Sequence, residues 1–245
     1  MISIENVTKS YHPGKNAVDD LSLEVAPGKI IGFIGPNGAG KTTTIKMITG
    51  ILEPDSGDIK VCGKSIIHDA IAAKREFGYV PDNPDVFLRL KGMEYLNFIA
   101  AVYRTPASKK RERILELAGK LEILDALSDK IQTYSHGMRQ KLLLTASLMH
   151  DPAVWILDEP LTGLDPKSSF MLKEMMRNHA HSGGTIFFST HVLDVAERLC
   201  DMVAVISRGK LLFYGALDEL RRTAGESGAD VTLEKIFLDM TGNLQ

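Results

Sequence analysis

The chain of 245 residues has only two cysteines, Cys62 and Cys200, which lie far apart and lack the spacing of metal ligands. This scarcity predicts reduced, buried thiols rather than a disulfide framework or a zinc site. No apolar run approaches the roughly 18–20 residues that a helix needs to span a bilayer. Because the first residues lack a basic segment followed by an apolar core, no signal peptide is expected. Any role at a membrane is therefore expected to depend on a partner.

Strong net charge is also absent, since the formal value is −2. A near-neutral chain gives no bulk electrostatic reason to expect binding to nucleic acid or to anionic lipid. The sequence contains no internal repeat, low-complexity tract or heptad array, which excludes solenoids and long coiled coils. With 44% hydrophobic and 24% charged residues, the composition is that of an ordinary soluble globular protein.

A glycine-rich segment at residues 35–43, with the sequence GPNGAGKTT, is the most informative part of the chain. It fits the phosphate-binding pattern G-x-x-x-x-G-K-[ST]. Glycines let backbone N–H groups approach phosphates closely, and a helix that begins near Lys41 adds free N–H groups and the positive end of its dipole. Lys41 is expected to reach the β- and γ-phosphates of a nucleoside triphosphate, and the Thr42 hydroxyl is expected to bind Mg²⁺. The predicted nucleotide-binding residues of this segment are Gly35, Asn37, Gly38, Ala39, Gly40, Lys41, Thr42 and Thr43.

The flanks of this segment support the motif. Residues 29–34 form a short apolar run with β-branched residues, which predicts a strand buried on both faces. Residues 43–50 predict a helix that ends at a glycine. A strand, a glycine loop and a helix in succession are the context that a phosphate loop requires, and they argue against a chance glycine-rich loop.

The hydrophobic pattern predicts an α/β core that is interrupted by helices. The predicted strands are residues 2–7, 21–25, 30–34, 58–61, 154–157, 185–189, 202–206 and 210–214. The predicted helices after the first are residues 93–103, 108–121, 137–149, 170–180, 193–199 and 232–240. The apolar face of the last helix is expected to pack on the core rather than to bind a partner.

The strand predicted at residues 154–157 is followed by two carboxylates, Asp158 and Glu159. Hydrolysis of a triphosphate needs a ligand for Mg²⁺ and a base for the attacking water. Asp158 is expected to hold the ion through its water shell. Glu159 is expected to act as the general base.

Further motifs follow in order along residues 1 to about 220. Tyr11 precedes the phosphate loop, residues 134–141 read YSHGMRQK, residues 164–166 read LDP, and residues 189–191 read STH. These match an adenine-stacking aromatic, a signature motif in its Y-S-x-G-M variant, a D-loop and a switch-histidine loop. With the phosphate loop, they make the chain resemble the nucleotide-binding subunit of an ABC (ATP-binding cassette) transporter.

The resemblance implies a fold and partners. The expected fold is α/β: a P-loop NTPase (RecA-like) core with an N-terminal antiparallel β-subdomain and an inserted helical subdomain at about residues 83–149. The ABC ATPase domain would span residues 1–220, with a short helical extension at 221–245. Implied cofactors are ATP and Mg²⁺. Implied partners are a multi-span membrane permease and a second nucleotide-binding subunit, identical or different, with no nucleic acid. The expected location is cytoplasmic, peripheral to the inner face of the cell membrane through the permease.

The resemblance also assigns roles to residues outside the phosphate loop. Tyr11 would stack on adenine, the alternative being a core tyrosine at a strand end. Ser135 caps a predicted helix, and Gly137 lets the backbone approach an anion. In this family that helix start closes over the γ-phosphate bound by the opposite subunit. His136 fills the variable position of the motif and is expected to have no role of its own.

The catalytic residues implied by the resemblance are Glu159, His191 and Lys41. His191 follows a predicted buried strand and a Ser-Thr pair, where the family places a contact with the γ-phosphate. A histidine taken alone is more often a satisfied core or surface residue than a catalytic one.

Two departures from the usual family pattern are visible. Residues 77–83 correspond to the loop that joins the core to the helical subdomain, where the family usually has a glutamine after the proline; here Asp82 follows Pro81. An aspartate is shorter, charged and only accepts hydrogen bonds. Asp82 is predicted to replace the glutamine as a Mg²⁺ ligand; the alternatives are that Asn83 supplies the oxygen or that Asp82 is merely solvated. The signature also lacks the usual L-S-G-G-Q form, and its Y-S-x-G-M form resembles that of exporter-type cassettes in prokaryotic drug, lantibiotic or lipid-linked efflux systems.

The sequence thus predicts an ATPase subunit that energises transport, with export favoured. One alternative is an ABC-type ATPase that acts on nucleic acid or ribosomes, but the chain lacks a long coiled coil, a second cassette and a basic patch. The other is a regulatory module without hydrolysis, against which Glu159 and His191 argue.

Overall fold

The computed structural model describes residues 1–85, 87–223 and 233–242. The strands are β1 (Ile2–His12), β2 (Lys15–Val25), β3 (Ile30–Ile34), β4 (Ser56–Val61), β5 (Lys64–Ser65), β6 (Phe77–Val80), β7 (Val154–Leu157), β8 (Thr185–Thr190), β9 (Met202–Ser207) and β10 (Lys210–Ala216). The helices are α1 (Lys41–Ile48), α2 (Ala70–Lys74), α3 (Gly92–Val102), α4 (Ala107–Lys120), α5 (His136–Ser147), α6 (Pro166–His181), α7 (Leu193–Leu199), α8 (Leu217–Thr223) and α9 (Leu233–Gly242). Short 3₁₀ segments, Leu124–Ser128 and Ile131–Thr133, lie between α4 and α5.

The larger sheet has the strand order β10-β9-β3-β8-β7-β6. Strands β9, β3, β8, β7 and β6 are parallel to one another, and β10 forms an antiparallel hairpin with β9. Every residue of β3, β7 and β8 is buried, as expected for strands covered on both faces. These strands lie side by side, so the loops that follow them meet at one edge of the sheet.

The smaller sheet is antiparallel, with the order β2-β1-β4-β5. This confirms the predicted N-terminal antiparallel unit, but β1 and β2 each run to 11 residues and are longer than the sequence predicted. The register of their pairing shifts at several points, and Asn6 and Asp20 have positive φ angles. Because these irregular, polar stretches break the alternation of apolar and polar residues, only their apolar parts were recognisable.

Helices α3, α4 and α5 pack around a shared apolar core that includes Leu96, Ile114 and Leu143. They lie within the region predicted to be helical, although each begins or ends within two residues of the predicted bound. One prediction for the preceding segment was wrong. Residues 77–83 were expected to form a connecting loop, whereas Phe77–Val80 is a strand at the edge of the larger sheet.

Some further elements differ from the prediction. Strand β5 and helices α2 and α8 were not predicted, and α6 begins at Pro166, four residues early, because Asp165 caps it and proline suits the first turn. Strand β10 and its hairpin confirm the strand predicted at residues 210–214. Both cysteines are free thiols, but each is only partly buried, so the prediction of buried thiols was wrong in degree.

The last helix confirms the predicted packing on the core. In α9, Leu233 and Ile236 are buried and pack with residues of β9 and α7, while Phe237 and Met240 contact the same cluster. The predicted start of this helix, Thr232, and nearly half of the predicted 221–245 extension lie outside the described residues. Within the described ranges, none of the helices combines the length and the apolar character that crossing a membrane requires.

Candidate active site

Parallel strands β3, β7 and β8 bring the predicted functional segments together. The ladder pairs Ile34 at the end of β3 with Thr190 at the end of β8, and Leu157 at the end of β7 with Phe188. The phosphate loop, the two carboxylates and the switch-histidine loop therefore leave the same edge of the sheet. Open α/β sheets bind ligands at this carboxyl edge.

The two ends of the phosphate loop, at Gly35 and Gly40, lie so close to neighbouring backbone that neither position has room for a side chain. Gly40 caps α1 with φ of 111°, and a Cβ atom on it would lie 2.5 Å from the carbonyl oxygen of Ala17 in β2. The same oxygen would lie 2.9 Å from a Cβ on Gly209, in the turn between β9 and β10. The Gly209 N–H donates to the carbonyl of Ala39 at 2.9 Å. A Cβ on Gly35 would overlap the carbonyl oxygen of Ile206.

Lys41 is 7% exposed and turns back over the loop. Its ammonium donates to the carbonyl oxygens of Gly35 at 2.8 Å and Pro36 at 3.3 Å. It also lies 3.6 Å from Oε1 of Glu159. The ammonium thus lies between the carbonyl groups of the loop and the carboxylate, while Asn37 and Gly38 are exposed at the tip of the loop.

Glu159 lies between Lys41 and His191. Its Oε2 is 3.0 Å from Nδ1 of His191. Its backbone has a positive φ of 47°, and its N–H donates to Oγ of Ser189 at 2.9 Å. The carboxylate is 14% exposed, whereas the imidazole is 52% exposed. The backbone of Glu159 is thus bound to Ser189 of β8, and its carboxylate faces the Lys41 ammonium and the His191 imidazole.

Asp158 is 1% exposed and shares Ser189 with its neighbour. Oδ1 accepts a hydrogen bond of 2.6 Å from the Ser189 hydroxyl, while the buried Oδ2 has no hydrogen-bond partner among the residues that the structure describes. Burial raises the pKa of Asp158 above its usual value, against the lowering effect of the Ser189 and Thr42 hydroxyls. A buried, unpartnered carboxylate oxygen near the exposed Thr42 hydroxyl fits the hard oxygen ligands that Mg²⁺ prefers.

Asp82 and Asn83 follow β6, which is fixed beside β7 by a hydrogen bond from the Asp158 N–H to the Val80 carbonyl, 2.9 Å long. Both side chains are exposed. The charge of Asp82 is close enough to contribute to the raised pKa of Asp158. Oδ1 of Asn83 accepts a hydrogen bond of 3.0 Å from the Asp85 N–H. The amide oxygen of Asn83 is thus engaged in its own loop, and the charge of Asp82 reaches the carboxylate cluster.

Tyr11 lies near the end of β1 and is 55% exposed. It is therefore not a core tyrosine. Its hydroxyl lies 3.4 Å from Oγ1 of Thr43, in the first turn of α1. The ring is thus beside the phosphate loop and open to a ligand.

Ser135 and Gly137 lie at a different place from this cluster. Ser135 is the N-cap of α5, and its Oγ accepts a hydrogen bond of 3.2 Å from the Met138 N–H. A Cβ on Gly137 would lie 3.1 Å from the carbonyl oxygen of Gly163. These contacts connect the start of α5 to the segment after Glu159 and not to the phosphate loop.

Ser189 is a residue whose role the sequence did not suggest. It is fully buried and joins the two carboxylate positions by donating to Asp158 and accepting from Glu159. The signal was a serine at the end of an otherwise apolar strand, next in the sheet to the strand that carries the acids. Reading it required the strand order, which the sequence alone does not give.

The sequence profile of the family described as ABC transporter matches residues 18–162. The chain belongs to this family. An uncharacterized ABC transporter ATP-binding protein, YhcH of Bacillus subtilis, is 38% identical over 213 residues, which cover 86% of this chain and 68% of that protein. The Nod factor export ATP-binding protein I of Paraburkholderia xenovorans is 39% identical over 234 residues, 94% of this chain and 75% of that one.

Among solved structures, an ATP-binding subunit of an ABC transporter superposes with a TM-score of 0.92 at 30% identity, covering 98% of this chain and 99% of that one. The similarity extends over nearly the whole chain, including the P-loop α/β core and the antiparallel sheet. This ABC protein is therefore a nucleotide-binding subunit, and its enzymatic activity is that of an ATPase.

Proposed function

We propose that this ABC subunit hydrolyses Mg²⁺–ATP between two cassettes and so drives export through a separate membrane permease. The observation that carries the proposal is the single carboxylate of Glu159, which lies 3.6 Å from the Lys41 ammonium and 3.0 Å from the His191 ring. A carboxylate base between a phosphate-binding lysine and the switch histidine is well placed to activate a water molecule that attacks the γ-phosphate.

ATP binding uses groups that the loop already presents. Lys41 would exchange the carbonyl oxygens of Gly35 and Pro36 for the β- and γ-phosphates. The N–H groups of the loop and the start of α1 would hold the other phosphate oxygens. Tyr11, which is exposed beside Thr43, would stack on the adenine.

Mg²⁺ would be held by Thr42, Asp158 and Asp82. The ion supplies charge neutralisation for the β- and γ-phosphate oxygens. The residues contribute the unpartnered Oδ2 of Asp158, the neighbouring hydroxyl of Thr42 and a second negative charge from Asp82. Asn83 is the weaker candidate, because its oxygen accepts the hydrogen bond from Asp85.

Glu159 would take the proton of the attacking water, and His191 would hold both this carboxylate and the γ-phosphate. Ser189 keeps the base in place through its hydrogen bond with the Glu159 N–H. Lys41, Glu159 and His191 would all face the γ-phosphate from within one cassette. None of these groups is the N-terminus of a helix that could bind the phosphate from the opposite side.

A second cassette would supply that helix start. Ser135 is exposed, and the twelve-residue helix α5 that it caps offers free N–H groups and a positive dipole end, with Gly137 allowing a close approach. In a head-to-tail pair, each cassette would close its Ser135 and Gly137 over the ATP of the other. The proposed location is the cytoplasmic face of the membrane, at the permease.

Export is favoured by the Y-S-x-G-M signature at residues 134–138 and by the name of the Nod factor export relative. Co-purification of the full chain with a multi-span membrane protein would support the permease partner. Recovery of the chain from membranes without such a protein would count against it.

The catalytic assignment is tested with Glu159→Gln. The amide keeps the size of the side chain but cannot accept the proton, so ATP hydrolysis is expected to fall by about 10²–10⁴-fold. ATP should still bind, and the variant should collect as an ATP-bound dimer in size-exclusion chromatography. Glu53→Gln, at an exposed glutamate, is the matched control. Wild-type turnover in Glu159→Gln would remove Glu159 from the role of base.

A further inference from the structure

The segment at residues 160–165, which follows the proposed base, is held by the start of helix α5 of the same chain. A Cβ on Gly163, which has φ of 76°, would overlap Nδ1 of His136, so the imidazole packs directly on the glycine backbone. On the other side, the carbonyl oxygen of Gly163 faces Gly137, where a Cβ would lie 3.1 Å away. His136 and Gly137, two consecutive residues of the signature motif, therefore both contact Gly163.

Two polar contacts connect further residues of α5 to the same segment. The buried amide of Gln140 donates to the carbonyl oxygen of Pro160 at 3.4 Å. The ammonium of Lys141 lies 3.6 Å from Oδ2 of Asp165. Contacts from the first two turns of α5 thus reach the beginning, the middle and the end of residues 160–165. We name this set of contacts the clasp.

The segment is short and is fixed at both ends. It follows directly on Glu159, whose N–H donates to Oγ of Ser189, and it ends at Asp165, which caps α6 by accepting a hydrogen bond of 2.9 Å from the Ser168 N–H. Inside it, the Thr162 N–H donates to the Glu159 carbonyl at 3.2 Å. A displacement of the start of α5 would therefore be passed to the backbone of Glu159 within a few residues.

We propose that His136 is a positioning residue that, through the clasp, couples the two nucleotide sites of the ABC dimer. The inference rests on the proposed function, in which Ser135 and Gly137 face the ATP of the other cassette. Binding of that ATP orders the start of α5, and the clasp transmits this to the catalytic carboxylate of the first cassette. His136, expected from the sequence to have no role, supplies the ring that packs on Gly163.

The test compares the full chain with His136→Ala, His136→Phe and Lys141→Gln, measuring ATPase rates against ATP concentration and the melting temperature. His136→Ala removes the ring, whereas His136→Phe keeps a ring that can pack on Gly163. Lys141→Gln weakens the clasp at its other end without touching the ring. His181→Ala, at an exposed histidine in α6, is the matched control.

His136→Ala is expected to lower kcat by about tenfold, because a small displacement of the base is costly. It should also move the Hill coefficient for ATP toward about 1, the value for uncoupled sites. Lys141→Gln should act in the same direction, and His136→Phe and His181→Ala should behave as wild type. A merely structural role would lower the melting temperature and leave the Hill coefficient unchanged.

Wild-type cooperativity in both His136→Ala and Lys141→Gln would overturn the clasp while leaving the proposed function intact. A wild-type chain whose Glu159→Gln variant forms no ATP-dependent dimer would instead contradict the proposed function, and the clasp with it. If His136→Phe loses as much activity as His136→Ala, the proposal that ring packing on Gly163 positions the base would also be overturned.

Discussion

We expect His150 to make the stability of this protein sensitive to mild acid. The residue lies after α5, its ring stacks on Tyr103 with centroids 3.6 Å apart, and its Nε2 lies 3.1 Å from the carbonyl oxygen of Phe77. Since a carbonyl only accepts, Nε2 carries the proton in the neutral ring. Nδ1 is buried, and no described residue offers it a hydrogen bond. Burial lowers the pKa of His150 from 6.5 to about 4, against the raising effects of the hydrogen bond to the Phe77 carbonyl and of the Asp151 charge, while Arg113 adds a small lowering effect.

The sign of the effect follows from the lowered pKa. Between pH 6.5 and about 4 the unfolded chain binds a proton at this residue and the folded chain does not, so protons favour unfolding. The stabilising contribution is complete above pH 6.5 and is lost as the pH falls toward 4. From these values, lowering the pH from 7 to 5 should cost about 2 kcal/mol of unfolding free energy at this site.

The assay is urea unfolding of the nucleotide-free chain at pH 7 and pH 5, followed by the fluorescence of Trp155, the only tryptophan. His150→Gln keeps an amide donor for the Phe77 carbonyl but has no group that titrates in this range. The variant should be less stable than wild type at pH 7, and the difference should shrink by about 2 kcal/mol at pH 5. His179, whose pKa is also lowered by burial, titrates in both proteins and cancels. An equal difference at the two pH values would refute this account of His150.

Three further predictions concern the active site. Ser189→Ala should lower the unfolding free energy by about 2 kcal/mol in urea titrations, because a buried carboxylate loses its hydroxyl donor; unchanged stability would contradict the observed hydrogen bond. Asp82→Ala should require more Mg²⁺ for half-maximal ATPase activity, whereas Asn83→Ala should resemble wild type; the reverse result would assign the ligand to Asn83. Mixing inactive Lys41→Ala and Ser135→Arg subunits should restore some ATPase activity, since one composite site of the mixed dimer is intact, and no recovery in demonstrated mixed dimers would count against sites shared between subunits.

Strands β3 and β7 were predicted with their observed bounds, and β8 within one residue, because they are short apolar runs in which every side chain is buried. Strand β6 was missed for the opposite reasons. It has four residues, contains a glycine, and lies at the sheet edge. Gly78 is required there because a Cβ would overlap the carbonyl oxygen of Ser147 in α5. A close approach of two backbones leaves no hydrophobic pattern in the sequence.

Motifs alone led to the residues of the candidate site, Lys41, Asp158, Glu159 and His191, because the chemistry that those motifs predict constrains the residue type. Their grouping depends on strand order, which places β8 between β3 and β7. The bridging hydrogen bonds of Ser189 and the packing of His136 on Gly163 could not be predicted. Both depend on distances between segments remote in sequence, and neither requires an unusual residue type.

The contact between Gly40 and the carbonyl oxygen of Ala17 affects how substitutions in the phosphate loop should be interpreted. At Gly40 the phosphate loop packs closely against β2, and Gly209 in the β9–β10 turn approaches the same carbonyl oxygen of Ala17. An inactive Gly40→Ala protein would thus report a disturbed fold as much as a lost phosphate contact. A Cβ on Gly38, in contrast, would meet no atom of the described part of the chain within 4 Å. In a mutational scan scored by ATPase activity, losses at Gly40 carry information about folding, and losses at Gly38 are the ones that inform about the nucleotide.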